Sequence, residues 1–131
     1  MKALVIDDSR VMRRIIGAQL RGLGFDIVEA GDGQQALDVL GASPDIDLAC
    51  IDWNMPVMDG LSFVSAVRER REWRGLTLMM VTTESERSQI VRALAAGAHE
   101  YLIKPFTPDA LREKLALLGL LPEEDRRDDD R

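Results

Sequence analysis

Four short stretches of the chain carry side chains that could do chemistry together. Each one closes an apolar run of strand length, and the four are Asp7-Asp8, Asp52, Thr82-Thr83 and Lys104-Pro105. A carboxylate can act as a nucleophile. A lysine can neutralise the charge on a transferring phosphoryl group, and a threonine hydroxyl can donate a hydrogen bond to one of its oxygens. These residue types are therefore the parts that phosphoryl transfer needs, provided that the fold brings them together.

The three carboxylates of Asp7, Asp8 and Asp52 also predict a cation. Two like charges about 4 Å apart repel by about 4 kcal/mol at an effective dielectric of about 20. Either one carboxylate takes up a proton or a cation joins the cluster. A few carboxylates, a turn carbonyl and water fit Mg²⁺ better than Ca²⁺, with Mn²⁺ as an acceptable substitute. The single histidine, His99, precedes the fifth apolar run, and we expect a surface residue there rather than a ligand.

Short apolar runs alternate with helical patterns along the chain, and these elements must position the polar residues. The predicted strands cover residues 3–6, 25–30, 48–52, 76–81 and 100–103. The predicted helices begin after Ser9, near Asp32-Gly33, at about residue 60, at about residue 85 and after Thr107; the third ends near 73, the fourth near 96 and the fifth near 119. Five successive β–α units favour a parallel sheet with helices on both faces.

We therefore predict an α/β fold of the flavodoxin-like (βα)5 type, with a doubly wound, five-stranded parallel sheet in the strand order 2-1-3-4-5. This order makes the first and third strands neighbours at the switch point of the sheet. Ligands of open α/β sheets bind there, outside the carboxyl ends of the strands. Asp7 and Asp8 end the first strand and Asp52 ends the third, so all three should converge.

Composition narrows the classes of protein. The 131 residues suit one domain, predicted at 1–121, and the acidic residues 122–131 are expected to form a disordered tail. A net charge of −6 without a basic patch argues against nucleic acid. The first apolar run is too short for a signal peptide, no stretch is long enough for membrane insertion, and the single cysteine, Cys50, fits a reducing compartment. We expect a monomeric cytoplasmic protein.

With these motifs in register, the sequence resembles the receiver domains of two-component response regulators, and among them the stand-alone regulators of chemotaxis. The resemblance covers about residues 2–118. The matching motifs are Asp7-Asp8, Asp52-Trp53-Asn54-Met55-Pro56 with Asp59-Gly60, Thr82, and Lys104-Pro105-Phe106. Each motif is weak evidence alone, but all of them together, at the spacing of the family, are strong evidence for this resemblance.

The resemblance implies how the acidic site works. Asp52 is expected to accept phosphate from a phosphohistidine of a sensor histidine kinase or of a histidine phosphotransfer domain. The expected Mg²⁺ ligands are Asp8, Asp52, the backbone carbonyl of Asn54 and Asp7, the last directly or through water. Lys104 is expected to pair with the acceptor and then with the phosphoryl group, and Pro105 stands where the family has a cis peptide bond.

The resemblance also implies a switch. Thr82 and Tyr101 match the pair in which the hydroxyl moves to the phosphoryl group and the aromatic ring turns inward. This movement alters the face formed by the fourth helix, the fifth strand and the fifth helix. Thr83, Glu84 and Asn54 stand where the family tunes the rate of dephosphorylation. Thr83 departs from the family pattern, because a smaller residue is common there. The chain is thus expected to be a signalling switch that assists its own phosphorylation and dephosphorylation, not an enzyme.

The output leaves two alternatives. The phosphorylated chain could bind an output protein such as a flagellar switch component, or act as a phosphorelay intermediate or phosphate sink that passes phosphate to a histidine phosphotransfer domain.

Two other classes of protein fit the sequence less well. The stretch 31–36 matches the dinucleotide pattern G-x-G-x-x-A, but it follows a predicted edge strand. A haloacid dehalogenase-type phosphatase needs a second aspartate two residues after the nucleophile, where Asn54 stands.

Overall fold

The computed structural model describes residues 1–121, apart from the side chain of Glu84. Strands and helices alternate throughout: β1 (Lys2–Ile6), α1 (Arg10–Gly22), β2 (Asp26–Ala30), α2 (Gly33–Ala42), β3 (Leu48–Asp52), α3 (Gly60–Arg68), β4 (Thr77–Thr83), α4 (Ile90–Ala96), β5 (Glu100–Lys104) and α5 (Pro108–Leu117). Two 3₁₀ helices, Arg71–Trp73 and Glu84–Gln89, precede β4 and α4. The predicted tail at 122–131 lies outside the described residues.

The strands form one parallel sheet in the order β2-β1-β3-β4-β5, which confirms the predicted topology. All residues of the central strand β3 are buried, as expected for a strand covered by helices on both faces. Alternate strand residues enter two separate cores. Leu4 and Ile51 face the core shared with α2 and α3, whereas Val5 and Cys50 face the core shared with α1 and α5.

Side-chain caps fix the points at which four helices begin. The capping oxygens belong to Ser9, Asp32, Asp59 and Thr107, and each accepts a hydrogen bond from a backbone N–H of the first turn. Such a cap satisfies a donor that has no partner inside the helix. Each of these helices is the next helix after a strand, and a loop joins the two. The caps therefore set where these loops end along the carboxyl edge of the sheet.

The glycine-rich stretch before α2 has a packing explanation. It follows β2, which is an edge strand and lies away from the switch point between β1 and β3. Asp32 caps α2, and a Cβ atom at Gly33 would lie 2.8 Å from the backbone oxygen of Met58. A side chain at position 33 would therefore displace the loop that follows β3.

Several predicted boundaries are wrong, and α3 shows the clearest reason. The helix ends at Arg68 rather than near residue 73. Arg68 donates hydrogen bonds to the carbonyl oxygens of Gly97, Trp73 and Leu76 at 3.0, 3.2 and 2.9 Å. The chain must turn after Arg68 to bring these carbonyls around one guanidinium. Trp73 is then buried at the end of the separate 3₁₀ helix Arg71–Trp73, not at the end of α3.

The other boundary errors involve polar residues at strand and helix ends. β4 runs from Thr77 to Thr83, rather than over 76–81, because Thr82 and Thr83 continue to pair with β5. The predicted helix at 85–96 begins instead as the 3₁₀ helix Glu84–Gln89. The last helix ends at Leu117, two residues before Gly119, whose φ is +72°. No helix within the described residues is long and apolar enough to span a membrane.

Candidate functional site

The three predicted carboxylates meet where the ends of β1 and β3 lie side by side. Asp7 and Asp8 follow β1, and Asp52 is the last residue of β3. Within the described part of the chain they form a group in which one carboxylate oxygen from each residue lies within 4.8 Å of the others. Asp7 and Asp52 are buried, with 2% and 7% of their surface exposed, whereas Asp8 is exposed. The site thus has a buried floor and one side open to solvent.

Lys104 reaches this cluster from β5. Its Nζ atom lies 3.2 Å from Asp52 Oδ1 and 3.3 Å from Asp7 Oδ2. It is the last residue of β5, and the peptide bond between Lys104 and Pro105 is cis, as the resemblance implied. One ammonium group therefore bridges the two buried carboxylates.

The charges of the cluster are not balanced. Burial raises the pKa of Asp52 to about 6; the ammonium group of Lys104 opposes this rise, and the neighbouring carboxylates of Asp7 and Asp8 add to it. Burial alone would lower the pKa of Lys104, but Asp52 and Asp7 raise it above its usual value, so the lysine stays protonated. Three carboxylates facing one lysine leave an excess of negative charge at this edge of the sheet.

This donor set fits a hard divalent cation. Mg²⁺ and Mn²⁺ prefer carboxylate, carbonyl and water oxygens, and Mg²⁺ usually keeps several waters. The open side at Asp8 leaves room for water, and the excess negative charge gives a cation a favourable place. Asn54, the predicted carbonyl ligand, lies in the loop directly after β3 and is exposed. Its role as a ligand stays a prediction.

Asp7 is held by contacts that the sequence analysis missed. Its Oδ1 accepts a hydrogen bond from the backbone N–H of Ser9 at 2.9 Å. Its backbone carbonyl accepts one from Arg13 at 2.6 Å, and the same guanidinium pairs with Glu29 on β2 at 2.9 Å. Asp7 therefore already has partners on both carboxylate oxygens, once Lys104 is included. No sequence motif marks Arg13, because its partners lie on other elements.

The loop after β3 is tightly constrained. The backbone N–H of Met58 donates to the carbonyl of Pro56 at 2.7 Å, which places Val57 at the centre of a three-residue turn with φ +69°. The N–H of Gly60 donates to the carbonyl of Trp53 at 3.0 Å. A Cβ atom at Gly60 would lie only 2.6 Å from the carbonyl oxygen of Asp52. The start of α3 thus lies against the backbone of the site.

Thr82 lies buried on β4, between the strands that carry Asp52 and Lys104. Its hydroxyl is 3.4 Å from Oε1 of Glu86, and the same oxygen accepts a hydrogen bond from the hydroxyl of Thr83 at 2.9 Å. Glu86 was not predicted from the sequence, although Thr83-x-x-Glu86 is the recognisable pattern of a capping box. The side chain of Glu84 is not described, so its role in setting a rate stays a prediction.

Tyr101 and His99 lie away from the acidic cluster. Tyr101 is half-buried on β5 against the core shared with α2 and α3, and Nζ of Lys114 lies 4.3 Å from its ring centre. His99 is exposed, as expected, and lies near the opposite edge of the sheet. Its Nδ1 accepts a hydrogen bond from the N–H of Leu78. Partial desolvation of the ring, together with the charge of Arg68, lowers the pKa of His99.

The five-stranded parallel sheet thus carries an acidic cluster, a buried threonine and a lysine together at its carboxyl edge. The chain belongs to the response regulator receiver domain family, whose model matches residues 3–116. Several relatives carry the name chemotaxis protein CheY or a numbered form of it. The chemotaxis protein CheY homolog of Campylobacter jejuni is 46% identical over 116 residues, which are 88% of this chain and 89% of that protein.

Two further relatives give the same result. The chemotaxis protein CheY1 of Helicobacter pylori is 44% identical over 119 residues, which are 90% of this chain and 96% of that protein. Among solved structures, the chemotaxis protein CheY4 of Vibrio cholerae superposes with a TM-score of 0.81 at 34% identity, over 88% of this chain and 96% of that one. Sequence and fold therefore agree on a CheY-like receiver domain.

Proposed function

We propose that this chain is a single-domain response regulator that accepts a phosphoryl group on Asp52 from a phosphohistidine of a sensor kinase. The observation that carries the proposal is the position of Asp52. It is a buried carboxylate at the end of the central strand, 3.2 Å from Lys104 and within 4.8 Å of the other acids. Groups of this kind at a sheet edge are suited to bind and transfer phosphate.

In the proposed reaction, a carboxylate oxygen of Asp52 attacks phosphorus and forms the new O–P bond. The P–N bond of the phosphohistidine breaks, and the imidazole leaves with the electron pair and takes up a proton. A bound Mg²⁺ supplies neutralisation of the phosphoryl charge. Asp8, Asp52 and Asp7 are the side chains that would hold it, together with the carbonyl of Asn54.

The remaining residues respond to the new charge. Phosphorylation replaces one carboxylate charge by a group of about −2 with additional acceptor oxygens. Lys104, which bridges Asp7 and Asp52, can transfer one of its hydrogen bonds to a phosphoryl oxygen. The hydroxyl of Thr82 can donate to another. Thr83, Glu84 and Asn54 tune the rate of dephosphorylation in this proposal, as their positions in the family pattern imply, so their substitution changes the lifetime of the phosphorylated form.

The output in this proposal is binding of a partner protein at the face formed by α4, β5 and α5. Tyr101 lies on this face, and Val91 and Leu94 of α4 are exposed to 74% and 39%. The names of the relatives favour a chemotaxis output. We further propose that this output takes place in the cytoplasm, with a flagellar switch component as the partner. The chain acts here as a monomeric switch and not as an enzyme with a separate substrate.

The decisive test is labelling with acetyl phosphate. The wild-type chain should gain one phosphoryl group by intact-mass measurement in the presence of Mg²⁺ and none in EDTA. Asp52→Asn should abolish the labelling, whereas Asp38→Asn, at an exposed position on α2, should leave it unchanged. Undiminished labelling of the Asp52→Asn chain would remove Asp52 as the acceptor.

The relay alternative has a separate test. A phosphorylated chain that passes its phosphate to an isolated histidine phosphotransfer domain within its own lifetime would favour a relay or phosphate sink. A beryllofluoride-treated chain that binds a flagellar switch peptide more tightly than the untreated chain would favour the docking output.

A further inference from the structure

The first residues after β4 form a polar cluster beside the proposed phosphorylation site. Oε1 of Glu86 accepts hydrogen bonds from the hydroxyl of Thr83 at 2.9 Å and from its backbone N–H at 3.5 Å. The same oxygen lies 3.4 Å from the hydroxyl oxygen of Thr82. The Oγ atom of Ser85 lies 2.9 Å from that of Thr83. One carboxylate oxygen therefore faces both threonine hydroxyls.

The hydrogen bond between Thr82 and Glu86 is weak, but water competes with it little. A distance of 3.4 Å is long for an O–H···O hydrogen bond, which is usually about 2.7–2.8 Å. Thr82 is only 2% exposed, so water has little access to its hydroxyl. Glu86 is half-buried and is fixed by its shorter bond to Thr83.

A hydroxyl group carries a single proton and can donate it to one acceptor at a time. The proposed function requires Thr82 to donate to the phosphoryl group on Asp52. Among the described side chains, the acceptor that is hydrogen-bonded to the hydroxyl of Thr82 is Glu86. The phosphoryl oxygens and the Glu86 carboxylate must therefore compete for the same proton.

We propose that Glu86 is a positioning residue that holds the hydroxyl of Thr82 in its unphosphorylated orientation, and that Thr83 fixes Glu86 for this task. The inference rests on the proposed function, because it assumes that Thr82 turns towards a phosphoryl group. It also explains why a threonine at position 83 suits this chain, where the family commonly has a smaller residue. The second hydroxyl anchors the carboxylate that restrains the first.

A simpler role must be distinguished from this one. Through its bonds to Thr83, Glu86 closes a capping box at the start of the 3₁₀ helix Glu84–Gln89. Loss of such a cap would loosen the segment before α4 whether or not Thr82 carries a hydroxyl. The two roles therefore differ in one respect: only the positioning role depends on the hydroxyl of Thr82.

The experiment is a double-mutant cycle with beryllofluoride as a phosphoryl mimic, measured by titration calorimetry at saturating Mg²⁺. Glu86→Ala should tighten beryllofluoride binding about twofold, since the competing hydrogen bond that it removes is weaker than a typical one. Thr82→Val, which keeps the shape but lacks the hydroxyl, should weaken binding. In the Thr82→Val background, Glu86→Ala should have no further effect.

Matched variants keep the result interpretable. Glu86→Gln retains a neutral acceptor and should tighten binding by a smaller factor, which tests the inference even if Glu86→Ala does not fold. Ser88→Ala, at an exposed position of the same 3₁₀ helix, should bind as the wild type does. Mg²⁺ affinity, titrated separately, should be unchanged in all of the Glu86 variants.

Two results would overturn the inference while leaving the proposed function intact. One is equal tightening by Glu86→Ala in the wild-type and Thr82→Val backgrounds, which would assign the effect to loosening of the loop or to loss of the Glu86 charge. The other is unchanged or weaker beryllofluoride binding by both Glu86 variants. Absence of any Mg²⁺-dependent beryllofluoride binding by the wild-type chain would instead refute the proposed function, and the inference with it.

Discussion

The acidic cluster should make the metal-free protein less stable than it would be without the charge on Asp52. Burial raises the pKa of this carboxyl from 3.8 to about 6, so the folded protein holds the proton more tightly than the unfolded chain does. The charged carboxylate is therefore a cost to folding at neutral pH. Asn has nearly the shape of the protonated acid and carries no charge. We expect Asp52→Asn to raise the free energy of unfolding in EDTA.

The size and the pH dependence of this gain follow from the two pKa values. A difference of about 2 pKa units corresponds to about 3 kcal/mol, at about 1.4 kcal/mol for each unit. For an acid whose pKa is raised by folding, stability is highest below the unfolded pKa and falls as pH rises towards the folded pKa. The gain from Asp52→Asn should thus be close to zero at about pH 4, grow up to about pH 6 and stay constant above it.

Urea denaturation of both proteins in EDTA, followed by circular dichroism at several pH values, measures this difference. Asp26→Asn, at an exposed position of the edge strand β2, is the matched control and should change stability by less than about 0.5 kcal/mol at every pH. Added Mg²⁺ should narrow the gap, because it stabilises only the wild-type site. A gain that does not vary with pH, or a loss at neutral pH, would refute the charge argument.

Two further predictions concern the loop after β3. Val57→Asn should raise the free energy of unfolding by about 1 kcal/mol, because a β-branched residue is strained at φ +69° and Asn tolerates that region. The control Val91→Asn, on α4, should show no such gain in urea denaturation. An unchanged urea midpoint for Val57→Asn would contradict the strain argument. Gly60→Ala should cost about 1–3 kcal/mol, because its Cβ would lie 2.6 Å from the carbonyl of Asp52. Gly60→Ala should also weaken Mg²⁺ binding in a fluorescence titration. If the variant has the stability and the Mg²⁺ affinity of the wild type, the backbone of the site can move to accept the added Cβ atom.

The convergence of the acids could be predicted because the strands follow from patterns along the chain, and because 2-1-3-4-5 is a common strand order for doubly wound sheets. Alternating apolar runs fixed the type of sheet, and the topology then placed Asp7, Asp8, Asp52 and Lys104 at one edge. No knowledge of side-chain packing was needed. The position of a residue at the carboxyl end of its strand was sufficient.

The errors arose where side chains of one element meet the backbone of another. The apolar pattern of β4 stops at Val81, but its pairing with β5 continues through two threonines. The helical pattern of α3 continues to Trp73, yet the helix ends at Arg68, whose guanidinium binds three carbonyls that all lie beyond the helix. Glu86 could have been recognised from its spacing to Thr83. Arg13 could not, because its partners Asp7 and Glu29 are neighbours only in the folded chain.

The guanidinium of Arg68 has a consequence for movement of α4. It ties the carbonyl of Gly97, directly after this helix, to the turn that follows α3 and to the residue before β4. The far end of α4 is thereby anchored, while its amino-terminal end follows the segment that contains Glu86. A rearrangement would then tilt the helix about a fixed pivot instead of sliding it. Seven residues make a rod of about 10 Å, so a rotation of about 10° would displace the amino-terminal end by about 2 Å.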